Sequence, residues 1–257
     1  MRTMQRRAAL LVTVALCASL AAQPATFDPV HYERILVPLL IPQAPGAFGA
    51  VFATDLSLMG SEEQRSVLVY GIRAGCLHVP CPNQGLDAVN VGSGEDRLSP
   101  GAVQYDGTPG RFMYVARHQV PRLYGHLRVR DITRSAQNLG TEIPLVRESD
   151  FIRTGEMVFR NEYPSKLYRS SLRLYAPQAM RVHVTVVDEY GNETAHNVDL
   201  HATGSTIYDP HYAYFADFPA HGWFALHLKA DVEKPFWAFA TLTNNETQMI
   251  TTITPQP

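Results

Sequence analysis

The chain has 257 residues, of which 46% are hydrophobic and 18% charged, and its formal net charge at pH 7 is −2. This composition is typical of a folded protein with a substantial core, and it excludes an intrinsically disordered chain. The lack of a basic surplus argues against nucleic-acid binding, because such binding needs cationic side chains that neutralise phosphates.

The N-terminus has the pattern of a signal peptide. A head with three arginines precedes an apolar run from Ala8 to about Ala22, which ends in the small residues that a cleavage site requires. The run is shorter than the roughly 20 strongly apolar residues of a membrane span. We predict a signal peptide over residues 1–22 and export to the periplasm, cell surface or extracellular space, with an uncleaved anchor or lipidation at Cys17 as alternatives.

Two cysteines remain after this segment, Cys76 and Cys81 in "AGCLHVPCPNQG". An exported chain meets oxidants, and four intervening residues allow a small disulfide loop. A redox motif has two intervening residues, and a structural zinc site needs two more ligands, which His78 alone does not supply. We therefore predict a Cys76–Cys81 disulfide.

Alternating apolar and polar residues run through the chain downstream of the signal peptide. "MRVHVTVVDEYGNE" places Val182, Val184 and Val186 on one face and ends in turn residues, and "GHLRVRD" and "GWFALHLKAD" alternate in the same way. Period-two patterning with frequent Gly and Pro predicts short antiparallel strands. The predicted class is all-β.

One pattern occurs twice, as "FATDLSLM" from Phe52 and as "YRSSLRLY" from Tyr168. In each copy two leucines alternate with polar residues, and a Val-rich strand, a strand led by glycine and a Thr/Asn segment before proline follow in the same order. The order predicts one module used twice, over residues 28–147 and 153–257. A single sandwich whose sheets are shared by both halves is the alternative.

The spacing within the two copies differs. From Phe52 to Gly125 there are 73 positions, and from Tyr168 to Gly222 there are 54, so the first half is longer by 19 on this alignment. The Gly/Pro/Asp-rich stretch around the cysteines has no periodicity. We predict an inserted surface loop over about residues 74–110 that the disulfide pins.

These segments resemble those of an ill-characterised group of exported bacterial proteins with tandem β-sandwich modules. The similar features are the Gly/Pro-rich entry into a polar-x-L-x-L strand ("APGAFGAVFATDLSLMG"), the "VHVTVVDEYG" hairpin, and a strand beginning Gly-Trp. The resemblance implies two tandem, antiparallel, Ig-like β-sandwich modules after a signal peptide. It brings no catalytic residues, because the group has none assigned.

Catalytic motifs are missing from the sequence. It contains no G-x-S-x-G, no phosphate-cradling glycine loop and no H-E-x-x-H. The sequence has three pairs of neighbouring carboxylates: Glu95/Asp96, Asp188/Glu189 and Glu148/Asp150. Each lies in a stretch typical of a solvated turn, so we do not interpret any of them as the catalytic pair of a glycosidase. We predict no enzyme activity and no cofactor.

Two groups of side chains remain as candidates for binding. His183 and His227 are expected on one exposed sheet face, where a third ligand would complete a metal site, although solvated histidines are the simpler interpretation. Four aromatic residues are candidate ligand contacts, because rings beside polar groups suit glycans and proteins: Tyr208, Tyr212, Tyr214 and Trp223. The sequence thus predicts a structural, adhesive or interaction protein of the bacterial cell envelope, with a protein or glycan partner and no membrane span after processing. A carbohydrate-binding or carbohydrate-processing module is the alternative.

Overall fold

The computed structural model describes residues 27–41, 43–61, 67–72, 88–93, 95–98, 109–134, 140–161, 167–219 and 222–256. The predicted signal peptide with Cys17, and the predicted disulfide between Cys76 and Cys81, lie outside these ranges.

Within the described ranges the regular structure is β-strand and three single 3₁₀ turns. All strand pairs are antiparallel, which confirms the predicted all-β antiparallel class. The strands are β1 Tyr32–Val37, β2 Ala44–Pro45, β3 Val51–Gly60, β4 Val67–Tyr70, β5 Ala88–Val91, β6 Glu95–Leu98, β7 Arg111–Ala116, β8 Leu123–Asp131, β9 Thr141–Ile143, β10 Val146–Arg147, β11 Thr154–Asn161, β12 Tyr168–Ala176, β13 Met180–Asp188, β14 Glu193–Ala202, β15 His211–Phe215, β16 Gly222–Ala230, β17 Trp237–Asn244 and β18 Ile250–Ile253, and the turns are Ala47–Gly49, Val120–Arg122 and Glu148–Asp150.

The strands form three sheets. One has the order β10-β1-β7-β4-β5, and a second has the order β2-β3-β8-β9, with β6 also paired to β3. The third has eight strands in the order β11-β16-β13-β14-β15-β12-β17-β18. In this last sheet the C-terminal end of β14 pairs with β15, at His201↔Tyr212 and Ala202↔His211.

Side-chain alternation determines which face of each strand is buried. On β13, Val182 and Val184 are fully buried, whereas Arg181 and His183 between them are exposed. The same pattern holds on β8 and β16. These strands form because every second residue gains from leaving water while its neighbours stay solvated.

The two halves of the chain share one order of strand pairing. In the first half the paths are β1-β7-β4-β5 and β6-β3-β8-β9, and in the second they are β11-β16-β13-β14 and β15-β12-β17-β18. The two sets correspond one to one in chain order when β2 and β10 are left out.

The residue register is also shared in the strands that carry the repeated pattern. Phe52 pairs with Asp131, and its counterpart Tyr168 pairs with Asn244. The leucine pairs of the two copies are buried to the same extent, at 0–1% exposure: Leu56 and Leu58 in β3, and Leu172 and Leu174 in β12.

The alignment of Gly125 with Gly222 was wrong, and so was the insertion derived from it. By pairing, β16 with Gly222 corresponds to β7, and β8 with Gly125 corresponds to β17. Between register-matched positions the halves are nearly equal: 79 positions separate Phe52 from Asp131, and 76 separate Tyr168 from Asn244. Five of the six residues of β7 are buried, so it lacks the alternation that identified the other strands.

The predicted loop over about residues 74–110 also needs correction. The interval contains β5, which pairs with β4, and β6, which pairs with β3. Both are short strands in a Gly/Asp-rich context, which conceals their period. The part of the interval with the two cysteines lies outside the described residues.

Buried aromatic residues join the halves. The core of the first half also contains Tyr175, Tyr208 and Phe239 from the second half, whereas the other core consists of second-half residues alone. Backbone contacts reinforce this junction, since the Phe112 N–H donates to the Tyr208 carbonyl at 2.7 Å. The hydroxyl of Tyr175 donates to the Pro38 carbonyl. Buried side chains of the second half thus complete the core of the first half. The module boundaries stay a prediction.

Replacing Tyr175 by Phe tests the junction. The substitution leaves the buried Pro38 carbonyl without its donor, so we expect the free energy of unfolding to fall by roughly 1–2 kcal/mol. Chemical denaturation measures this, with Tyr190→Phe as the control because Tyr190 is 80% exposed. Equal stability of the two variants would contradict the role of the hydroxyl.

The end of β8 yields a pH prediction through Asp131. Burial alone raises the pKa of this carboxyl, but hydrogen bonds from Thr133, Arg134 and the Val51 N–H outweigh burial and lower it to about 2 from 3.8. Because the folded pKa lies below the unfolded one, the stabilisation is present above about pH 4 and is lost as the pH falls towards 2, and it amounts to about 2 kcal/mol.

Asp131→Asn should therefore lower the free energy of unfolding at pH 7 and lose this effect as the pH falls towards 2. Urea unfolding at several pH values gives the profile. Asp217→Asn, at an exposed position, serves as the control and should match the unmodified chain throughout. A constant deficit of Asp131→Asn at all pH values would refute the linkage to this carboxyl.

Candidate functional site

A cleft of about 750 Å³ lies between the two halves. The first half contributes residues of β2, the following 3₁₀ turn, β3, β8 and β9, and the second contributes residues of β12, β17 and β18 with the segment from Tyr214 to Pro219. Its volume falls within the roughly 300–1,000 Å³ of small-molecule sites.

The cleft exists because β12 presents its two faces to different surroundings. Leu172 and Leu174 point into the core of the second half. The alternate residues point the other way, and there Tyr175 is buried in the junction while Ser171 and Arg173 line the cleft. The cleft is the part of the junction that the aromatic residues leave open.

Gly46, at the Gly/Pro-rich entry to β3, helps to shape the first-half wall. A Cβ atom at this position would collide with the ring of Phe52. The absence of a side chain therefore lets that ring pack against the backbone and form the apolar side of the cleft.

Arg173 lies in the second-half wall between hydroxyls and rings. Its Nη1 donates to the Ser171 hydroxyl at 3.0 Å, and its guanidinium lies 5.5 Å from the ring centre of Tyr214 and 5.7 Å from that of Phe239. The Ser171 and Thr241 hydroxyls are themselves 2.7 Å apart. Contacts of this kind fix the direction of a guanidinium without neutralising it.

Arg169 is held by the turn that follows β17. It donates to the Asn245 side-chain oxygen and, at 2.8 Å, to Gln248 Oε1. Gln248 is 1% exposed and has a φ of 58°, a left-handed conformation uncommon for a residue other than glycine. Burial and the nearby Arg134 lower the pKa of Arg169, against the opposing influence of Tyr214.

The cleft carries positive charge. Among the described residues that line it, two are arginines and none is acidic. The neighbouring Arg134 is paired, because it donates to Asp131 at 2.6 Å and to the Phe48 carbonyl at 2.9 Å. The cleft thus combines cationic donors, hydroxyls and aromatic rings.

The four predicted aromatic contacts do not lie together. Tyr208 is buried in the first core, 5.9 Å from Tyr114, and Tyr212 is half-buried against Tyr175 at 5.1 Å. Tyr214 is 55% exposed and lines the cleft. Trp223 is 51% exposed on β16 and is not among the residues that line the cleft.

The histidine candidates share an exposed face, as alternation predicts. His227 pairs with Thr185 and His183 with Lys229 on adjacent strands. His183 Nδ1 is 2.6 Å from the Asn197 side-chain oxygen, and His227 Nδ1 is 3.8 Å from Glu156. The described part of the chain contains no group of three or more side chains suited to hold a metal ion.

Two of the predicted carboxylate pairs have structural contacts. Asp188 accepts hydrogen bonds from the N–H groups of Tyr190 and Asn192 in the hairpin turn. Glu148 accepts a bidentate hydrogen bond from Arg34. The first set of contacts stabilises the hairpin turn, and the second joins β1 to the 3₁₀ turn Glu148–Asp150.

Comparison with known proteins gives no relative. No protein-family model, curated protein or solved structure matches the chain. Across the described residues, no helix has the length and apolar character needed to cross a membrane.

Arg169 and Arg173 were not identified from the sequence. Arg173 stands between two core leucines, at a position where alternation predicts a solvent-facing residue. The sequence carries no signal that this face of β12 meets the first half of the chain, because the contact joins positions far apart in the chain.

Proposed function

We propose that this chain is an exported, non-enzymatic interaction protein of the bacterial cell envelope, formed by two related Ig-like β-sandwich modules that bind a partner in the cleft between them. The common order of strand pairing supports two modules of one origin. The signal-peptide pattern supports export, and oxidising surroundings would favour the Cys76–Cys81 disulfide.

The single observation that carries the proposal is the composition of the cleft. The cleft between the halves is lined by two guanidiniums that hydrogen bonds keep in place, by hydroxyls and by an exposed tyrosine ring. Such groups recognise a partner through hydrogen bonds and stacking. A cleft formed by both modules also explains how one chain with two similar units can have a single recognition surface.

Carbohydrate binding is the second candidate function, and Tyr214 favours it. Its half-exposed ring lies beside Arg173 at the cleft. An aromatic ring next to polar groups is a platform on which a sugar ring can stack.

If the chain is exported, its signal peptide is removed and its two remaining cysteines are oxidised to a disulfide. We expect the intact mass of the secreted chain to start within a residue of Ala22 and to match one disulfide, with no thiol labelled before reduction. Cys76→Ala should expose one thiol, at Cys81. A retained N-terminus, or two labelled thiols in the unmodified chain, would contradict this prediction.

Blocking the cleft tests the site of interaction. Ala216 is exposed and lines the cleft, so Ala216→Trp narrows it without entering a core. We expect this variant to lose at least about tenfold of its retention on envelope fractions, as expected when an interface centre is blocked. Ala195→Trp, at an exposed position on β14 outside the cleft, should bind like the unmodified chain. Unchanged retention of Ala216→Trp would place the contact elsewhere.

A further inference from the structure

We infer that the cleft binds an acidic saccharide, whose carboxylate or sulfate group is held by the guanidiniums of Arg169 and Arg173. The inference rests on the proposed function, since it names the ligand class for the same cleft.

The charge of the cleft favours an acidic ligand. Within the described part of the chain, both guanidiniums bond to neutral side chains only: Arg169 to Asn245 and Gln248, and Arg173 to Ser171 and Thr241. A half-buried cation without a counter-charge is costly, and an anion that enters the cleft relieves that cost. Guanidinium binds carboxylate and sulfate-like groups by two parallel hydrogen bonds.

The direction of the N–H donors also favours an anion. The hydrogen bonds that described residues receive from Arg173 all come from Nη1, on the side of the Ser171 and Thr241 hydroxyls. Arg169 uses Nη1 and Nη2 to hold the turn, so its charge stays in place at the wall. A guanidinium has five N–H donors, so both arginines retain donors for an anion.

Strand pairing at Arg173 and the exposed ring of Tyr214 favour a saccharide over an acidic peptide. β12 pairs with β17 over Tyr168–Tyr175 and with β15 over Leu172–Ala176, so both sides of the strand are paired at Arg173. A peptide would find no free strand edge beside Arg173. A sugar needs what the wall offers, namely the exposed ring of Tyr214 for stacking and polar side chains for its hydroxyls.

Calorimetric titration of the full chain at low salt tests the inference. The probes are hexagalacturonate, a heparin hexasaccharide, maltohexaose and hexaglutamate. We expect at least one of the two acidic saccharides to bind. Binding of hexagalacturonate would show that carboxylates suffice, and binding of the heparin hexasaccharide alone would show that sulfate is required, because heparin carries both groups. We expect maltohexaose and hexaglutamate to bind at least about tenfold more weakly. Added salt should weaken the binding.

Arg173→Gln and Arg169→Gln should each weaken binding of the acidic saccharide at least about tenfold. Arg153→Gln, an exposed arginine outside the cleft, is the matched control and should bind normally. Because Arg169 also holds a turn, Tyr214→Ser provides a second variant on the exposed surface, and it should weaken binding through lost stacking. Thermal unfolding of each variant verifies that it is folded.

Three results would overturn the inference: no binding of either acidic saccharide, binding that Arg173→Gln leaves unchanged, or hexaglutamate bound as tightly as the saccharide. The last result would indicate an acidic protein partner. Failure here is distinguishable from failure of the proposed function, because retention on envelope fractions that Ala216→Trp abolishes would keep the cleft as the contact site with a different ligand.

Discussion

The burial of β12 on both faces is the constraint on which the rest of the structure depends. A strand of an ordinary two-layer sandwich buries one face and leaves the other in water. In β12, Leu172 and Leu174 pack into the core of the second half. Tyr175, near the end of the strand, points the other way and is fully buried against the first half. The hydrogen bond from the Tyr175 hydroxyl to the Pro38 carbonyl pairs two polar groups that this arrangement buries.

The cleft follows directly from this arrangement. The junction is closed by large rings at Tyr175 and Phe239 and stays open where the residues on the same face are Ser171, Arg173 and Thr243. A guanidinium is difficult to bury without a counter-charge, so a junction closed over Arg173 would lose stability. We expect an anion to be a favourable occupant of the cleft, because it would supply a counter-charge for Arg173.

The sequence was most informative where one rule determines a structure and least informative where distant parts meet. Alternation identified β8, β13 and β16, and it placed Leu56, Leu58, Leu172 and Leu174 at buried positions. It failed for β7, which is buried on both sides and has no period. The aromatic segment was recognised as a group, yet its members have different surroundings. Tyr208, before β15, packs into the core of the first half, whereas Tyr214 in β15 pairs with Arg173 and lines the cleft.

The two copies of the repeated pattern differ on the strand face that is turned away from the core. By register, Asp55 in β3 corresponds to Ser171 in β12, and Ser57 corresponds to Arg173. In the first copy this face has an ion pair, since Arg130 donates to Asp55 at 2.8 Å. In the second copy the same face lies against the first half of the chain, and there Ser171 has two neighbours, the Thr241 hydroxyl and the Arg173 guanidinium. Both copies have leucines at the core-facing positions, whereas the residues of the opposite face differ. β12 thus supplies hydroxyls and the arginines of one wall of the cleft, whereas β3 contributes the ring of Phe52 to the other wall.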